Sequence, residues 1–449
     1  MDEPHHTSQR AEGLVGSKAA GDARYAQHDA ANRVFAVRCA GFADARGTLP
    51  ASDSLLAQTT GPRERRILAI GTADEVRTHP AWPHAERLDL PGRVVAPALA
   101  NAHTHLDLTH LGPRPLEGDF ARWIDMVRTG RATEDTAIAA SVRQGVEMLA
   151  LGGTVAVGDI AGSVGGAPSL APARVLDGAG LLGVSFLEFF GLSDDGSPGL
   201  DRALEQARAF EPSTMRLGLE PHAPYSASLG AYARAKRSGL PICTHLAESQ
   251  AERQLVAEGA GPIRDMLGGL GLWTQAVAGQ FGHGSSPVAH LADLLDGVLA
   301  VHLNDVANAD LQVLAGSGVR VVYCPRASAY FGAPEAFGPH RYREMLDAGV
   351  SVVLGTDSII NLPADDVALR GICVLDEARL LVARDGVAPD VVLEMLYGHG
   401  PMALGLEPQR FMLAAGGLVA GLIGVDVAAV AEGDPAGRML EARGVLSFL

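Results

Sequence analysis

Lysine is nearly missing from this chain of 449 residues: of 36 basic side chains, only Lys18 and Lys236 are lysines. A site that needs a lysine at a strand end, such as a carboxylated-lysine bridge between two metal ions, therefore has no candidate. Cysteine is also scarce. Cys39, Cys243, Cys324 and Cys373 lie far apart with no Cys-x-x-Cys pair, which excludes a disulfide framework and a zinc knuckle and leads us to expect reduced thiols and a cytoplasmic protein. Positive charge is in deficit. A net charge of -16, with no stretch that concentrates the arginines, argues against nucleic acid or an anionic membrane as partner and for a small-molecule substrate. It is compatible with a homo-oligomer. Uninterrupted apolar runs are absent too: the longest apolar window, 412–431, contains Asp426 and the glycines Gly416, Gly417, Gly421 and Gly424, so short strands and turns account for it better than a membrane span. The first residues show no basic segment followed by an apolar one, hence no expected signal peptide.

What the chain does have is 47% hydrophobic residues and 54 glycines, the composition of a large α/β protein with many tight turns. Residues 1–32 lack apolar periodicity and are expected to be a disordered tail. Residues 33–92 read as short β pieces. From the run Val94-Val95-Ala96 onward, apolar segments end successively at His105, Asp159, Glu188, His222, His245, His302, Pro325 and Asp357. Helix-like segments alternate with them, and residues 133–149 place Ile138, Val142, Val146 and Leu149 on one face. Eight such beats predict an α/β fold, a (β/α)8 TIM-type barrel over 93–404, because buried parallel strands read as continuous apolar runs and each needs a helical crossover. The interval 250–296 is too long for one helix and is expected to add helices and a loop at the barrel mouth. The tail from Leu413 returns to β-like pieces, so 33–92 and 405–449 are expected to form one small discontinuous β-sandwich domain.

The polar residues fall where such a barrel works, at the C-terminal ends of its strands. His103 and His105 are two apart and so share a side of the extended chain. A His-x-His pair alone is as readily two polar residues at a strand end. Here it is joined by His222, His245, His302 and Asp357, each closing a later strand, and ionisable groups are costly to bury without a purpose. Three imidazoles and a carboxylate, His103, His105, His245 and Asp357, would make a shell for one divalent ion, zinc or iron, with a position left for water. Glu248, three residues beyond His245, is suited to shuttle protons for water activated there, although an acid in a first helical turn is also favoured by the helix dipole. Glu117, Trp123, Arg326 and Tyr330 fall on expected loops near the mouth and are candidates for substrate selection.

Taken together, Asn101-Ala-His-Thr-His-Leu, Pro221-His-Ala-Pro-Tyr-Ser, Thr244-His-Leu-Ala-Glu-Ser, Val301-His302, Tyr323-Cys-Pro-Arg and Leu354-Gly-Thr-Asp-Ser resemble the amidohydrolase superfamily. The closer likeness is to its mononuclear aminohydrolase branch, which includes S-adenosylhomocysteine, guanine, cytosine and aminodeoxyfutalosine deaminases. The resemblance implies that His103, His105, His245 and Asp357 hold one metal ion, with zinc favoured over iron, and that Glu248 moves protons to a ring nitrogen. It also implies that His302 positions the attacking oxygen or polarises the substrate, and that His222 touches the substrate. The expected activity is hydrolytic deamination of an amino-substituted N-heterocycle or nucleoside. Hydrolysis of a cyclic amide, as in imidazolonepropionase-like relatives, and ring dechlorination are the alternatives on the same residues. A metal-binding scaffold without activity is the alternative from another class. The chain departs from many relatives where Cys324-Pro-Arg-Ala-Ser-Ala replaces Cys-Pro-x-Ser-Asn.

Overall fold

A computed structural model describes residues 32–164, 166–193 and 197–449; the expected tail of 1–32 lies outside them except for Asn32. Eight parallel strands form the central sheet: β1 (Leu99–Thr104), β2 (Thr154–Ala161), β3 (Leu182–Phe189), β4 (Met215–Pro221), β5 (Ile242–Leu246), β6 (Val298–His302), β7 (Arg320–Tyr323) and β8 (Ser351–Leu354). They pair in sequence order, and β8 returns to β1 through the bridge Thr104↔Asp357. The amides of Thr356 and Asp357 both donate to His103 O, at 3.0 and 3.1 Å. The barrel thus closes at the first His-x-His pair. Gly355 permits this approach: a Cβ there would stand 2.9 Å from His103 Cβ and 2.7 Å from Val322 Cγ1.

The helix Asp135–Leu151 buries Ile138, Val142, Val146 and Leu149 as their spacing requires. The interval between β5 and β6 holds the helices Gln250–Glu258, Pro262–Gly269, Gln275–Ala278 and Pro287–His290. Its glycine-rich loop folds back on the first of these, with Gly282 N donating to Val256 O and Gly284 N to Ala257 O, and His283 is exposed there.

A second sheet gathers strands from both ends of the described chain, in the order Leu418–Val419, Arg65–Gly71, Ser54–Thr59, Val34–Asp44, Glu86–Pro97, Leu422–Asp426, Leu446–Phe448. All pairs in it are antiparallel except Val34–Asp44 with Glu86–Pro97. One expectation needs correction here. The run Val94-Val95-Ala96 is not the start of the barrel strand; its residues pair with Val425, Gly424 and Ile423 in turn, in this second sheet. The break falls at Pro97 and Ala98, after which β1 starts afresh beside β2. Proline cannot donate to a ladder, and here it marks the change of sheet.

Candidate active site

Four strand ends bring five side chains together at the C-terminal mouth of the barrel. His103 lies on β1 and His105 just beyond it, His245 on β5, His302 at the end of β6, and Asp357 three residues past β8. All five are buried. Asp357 Oδ1 is 3.6 Å from His103 Nε2 and 3.4 Å from His105 Nε2, while His105 Nε2 is 3.3 Å from His245 Nε2. The ring of His302 stacks on that of His245 at 5.4 Å. Ligand atoms of His103, His105 and Asp357 form one compact group, and those of His103, His245 and His302 another, each within 4.8 Å.

Both nitrogens of His103, and Nδ1 of His105, are buried without a hydrogen-bond partner. Buried polar groups are nearly always satisfied, so His103 Nε2, left open where Asp357 and the other imidazoles meet, fits a cation better than it fits a packed core. The electrostatics agree. Burial pushes the imidazolium of His105 down to about 3, that of His302 likewise to about 3, and that of His245 well below its ordinary value. Burial alone would raise Asp357, but the adjacent His103, then His105 and His302, outweigh it and hold the carboxyl below the usual range. Neutral His105 and His245 beside an ionised Asp357 are in the protonation states a divalent ion requires.

Glu248 lies just past β5, and its Oε1 is 3.3 Å from His302 Nε2. Burial, then the charges of Asp357 and Glu252, raise its pKa well above the ordinary carboxylate value. The backbone that carries it is fastened: Ala247 N and Glu248 N both donate to Glu252, and Asn304 Nδ2 donates to Glu248 O at 3.1 Å. Of the six non-glycine residues with positive φ among those described, Ala247, His302, Leu303 and Asp357 stand in or beside this site. Such conformations cost roughly 1–3 kcal/mol each and persist where the surroundings enforce them.

His222 follows β4 and is held by Nδ1 against Ser226 Oγ at 2.8 Å, leaving Nε2 3.9 Å from Glu188 Oε1. A cavity of about 240 Å³ adjoins Glu248 and is walled by Phe120, Phe331 and Phe337. Trp123 packs on Phe120 and Phe331, and Tyr330 on Phe331. Glu117 is exposed in the segment before the helix Phe120–Gly130.

The expectation that these selector residues sit on loops holds only for Glu117. Trp123 belongs to the helix Phe120–Gly130, started by Asp119 accepting from Arg122 N; Arg326 and Tyr330 belong to the helix Pro325–Tyr330, where proline is suited to the first turn. Arg326 does not line the cavity beside Glu248. Its Nε is bound to Glu377 Oε1 at 2.5 Å and it borders a different cavity.

Several buried groups escaped the sequence reading. Glu188, at the end of β3, accepts from Arg131 Nη1 at 2.7 Å and Ser163 N at 2.6 Å. Arg131 also lies 3.2 Å from Asp107 and so ties the end of the helix Phe120–Gly130 to the barrel. Glu220, on β4, places Oε1 3.2 Å from His245 Nδ1. Asp159 accepts from Leu106 N and Ser185 Oγ. Asp159 and Glu188 carried the same signal as the histidines, an ionisable group at a strand end; Arg131 and Glu220 carried none.

A family model for the amidohydrolase family matches residues 94–410. An aminodeoxyfutalosine deaminase of Deinococcus radiodurans is 33% identical over 312 residues, 65% of this chain and 70% of its own length. A 5-methylthioadenosine/S-adenosylhomocysteine deaminase of Syntrophobacter fumaroxidans is 27% identical over 376 residues, 80% of this chain and 78% of its own. Among solved structures, a zinc-bound adenosine deaminase of Xanthomonas campestris superposes with a TM-score of 0.65 at 18% identity, covering 91% of this chain and 89% of its own. That likeness establishes the shared barrel fold. No helix among the described residues is long and apolar enough to cross a membrane.

Proposed function

Because this chain belongs to the amidohydrolase family, we propose that it is a metal-dependent aminohydrolase that replaces the amine of an amino-substituted N-heterocycle, of nucleoside type, by oxygen and releases ammonia. The observation that carries this reading is the pairing of Glu248 with His302 at 3.3 Å beside the histidine and aspartate cluster. A site that only stored a metal ion would have no use for a buried acid and imidazole at that position. The deaminase relatives support the choice of reaction.

In this reading His103, His105, His245 and Asp357 hold one divalent ion, and zinc is the ion in the related adenosine deaminase structure. When bound, such an ion lowers the pKa of a water molecule and so makes a nucleophile at neutral pH. Asp357 accepts the proton that the water gives up. His302 hydrogen-bonds the attacking oxygen as it adds to the amine-bearing ring carbon, holding it on the line of approach. Glu248, raised in pKa by burial, hands its proton to the ring nitrogen next to that carbon. The tetrahedral carbon then expels the amine, which takes up the proton held by Asp357 and leaves as ammonia, while the hydroxyl proton on that carbon returns to Glu248 as the carbonyl forms. His222, fixed by Ser226, contacts the substrate outside the reacting ring.

Ammonia release from aminopurines, adenosine-type nucleosides, pterins and aminopyrimidines by metal-quantified protein tests the reading. Ammonia from one class supports it and names the substrate. Ring opening of a cyclic amide, or chloride release, with every amine intact would replace it.

A further inference from the structure

His302 ends β6 in a left-handed turn, at a φ of 79° followed by Leu303 at 52°. Toward β5 the backbone is paired, with Leu303 N donating to Leu246 O at 3.0 Å. Toward β7 the ladder stops early. The register of β6 against β7 ends at Val301↔Val322, so the carbonyl of His302 has no strand amide to accept from on that side. A buried carbonyl left in that state is costly. His340 supplies the donor, with Nε2 2.8 Å from His302 O.

The direction of that hydrogen bond is fixed by the other ring nitrogen. Tyr342 N, a backbone amide that can only donate, reaches His340 Nδ1 at 3.0 Å. Nδ1 therefore carries no proton, and the proton of the neutral ring lies on Nε2. Burial favours the neutral ring and pulls the imidazolium down to about 4. The plane of the ring is set as well. It stacks on Tyr323 at 3.7 Å and 13°, and Arg384 Nη2 donates to the Tyr323 hydroxyl at 3.0 Å. His340 lies in the link between the helices Ala333–Phe337 and Tyr342–Asp347, and three restraints on one link side chain all bear on a single carbonyl.

That carbonyl belongs to the residue whose Nε2 stands 3.3 Å from Glu248 Oε1. Glu248 has its own anchors in Glu252 and Asn304; His340 is the matching anchor for His302. We propose that His340 is a positioning residue for the reaction: by donating to His302 O it holds the left-handed turn and keeps the His302 imidazole facing Glu248 and the attacking oxygen. The inference rests on the aminohydrolase reading and gives His340 no contact with metal or substrate. Support of this kind behind a working side chain governs how well the reacting groups are aligned.

His340→Phe keeps a ring to stack on Tyr323 and removes the donor, whereas His340→Gln restores a donor near the position of Nε2. At matched metal content by elemental analysis, His340→Phe is expected to lower kcat for ammonia release about 10- to 100-fold and to move KM less than about threefold, and His340→Gln to return to within about fivefold of the parent. In a His302→Asn background His340→Phe is expected to cost less than about threefold, because no imidazole is left to position. An unchanged kcat in His340→Phe, an equal loss in both backgrounds, or a His340→Gln as impaired as His340→Phe overturns the proposal. Amide hydrogen exchange reads the turn itself. In His340→Phe it is expected to quicken over residues 301–305 and to stay at the parent's rate in β2 and β3; unchanged exchange over 301–305 also overturns the proposal. Should the parent release no ammonia from any amine, the aminohydrolase reading fails, and exchange alone decides whether His340 holds the turn.

Discussion

His302 Nε2 stands 3.3 Å from Glu248 Oε1, with both side chains sealed from solvent and His302 held at a φ of 79°. The histidine comes from the end of β6 and the glutamate from beyond β5. The turn that carries each is strained in the same left-handed sense, Ala247 at 53° and Leu303 at 52°. Two neighbouring strands are thus bent to bring one acid and one imidazole together.

Glu248→Gln keeps the size and the backbone contacts to Glu252 and Asn304 but removes the transferable proton. Ammonia release is expected to fall about 10²- to 10⁴-fold, with metal content unchanged by elemental analysis. Activity within a few-fold of the parent would remove Glu248 from the chemistry.

His302→Asn should lower kcat by about two orders of magnitude, roughly 3 kcal/mol of transition-state stabilisation, with a smaller effect on KM. Steady-state kinetics separates this from a binding role, which would move KM instead.

Removing the metal leaves His103, His105 and His245 facing Asp357 with open lone pairs, so the stripped protein is expected to melt lower. Readdition of zinc should raise the melting temperature to a plateau at one ion per chain. Glu220→Gln, next to His245 Nδ1, should weaken zinc about 10- to 100-fold in a competition titration, as loss of a carboxylate behind a metal-binding histidine does. Unchanged affinity would show that the backbone carbonyl of His222, 3.1 Å from the same nitrogen, suffices to orient the ring.

Ala247 tests the strained turn. Ala247→Gly relieves the left-handed cost of about 1–2 kcal/mol but frees the unfolded chain by about 0.5–1 kcal/mol, so its denaturation midpoint should stay close to the parent's. Ala247→Val, buried and branched, should lose more than about 2 kcal/mol.

Asp177 gives a pH signature far from the site. Burial raises its pKa, but donation from Ser213, Thr214 and Met215 outweighs it and brings the carboxyl down to about 2. A depressed folded-state value means that the stabilisation is present above the ordinary carboxylate range and fades as pH falls from about 4 toward 2. Parent and Asp177→Asn should therefore differ in urea midpoint at pH 6, and the gap should narrow at pH 3. A constant gap would assign the effect to shape, not charge.

The barrel and its mouth were legible in the sequence for one reason: a strand end is a place where periodicity stops, and His103, His105, His222, His245, His302 and Asp357 stand at those stops. The helix Asp135–Leu151 was legible through its apolar spacing. What escaped depended on partners distant in the chain. The run Val94-Val95-Ala96 bears no mark of which sheet will receive it, since its partners Ile423 to Val425 come some three hundred residues later. Arg326 read as a mouth residue because Glu377, which turns it away, is 51 positions downstream. Arg131, at the end of its helix, meets Glu188 only 57 positions later in the chain.

Thr104↔Asp357 is the bridge that closes the barrel, which makes the carboxylate proposed to accept the water's proton part of the seam. Any fluctuation that parts β8 from β1 carries Asp357 away from His103 and His105, so in the proposed mechanism activity is expected to be lost at a first stage of melting. Hydrogen exchange at the amides of Thr356 and Asp357 should then slow when the metal is bound, and on gentle heating activity should vanish while most of the helices are still intact.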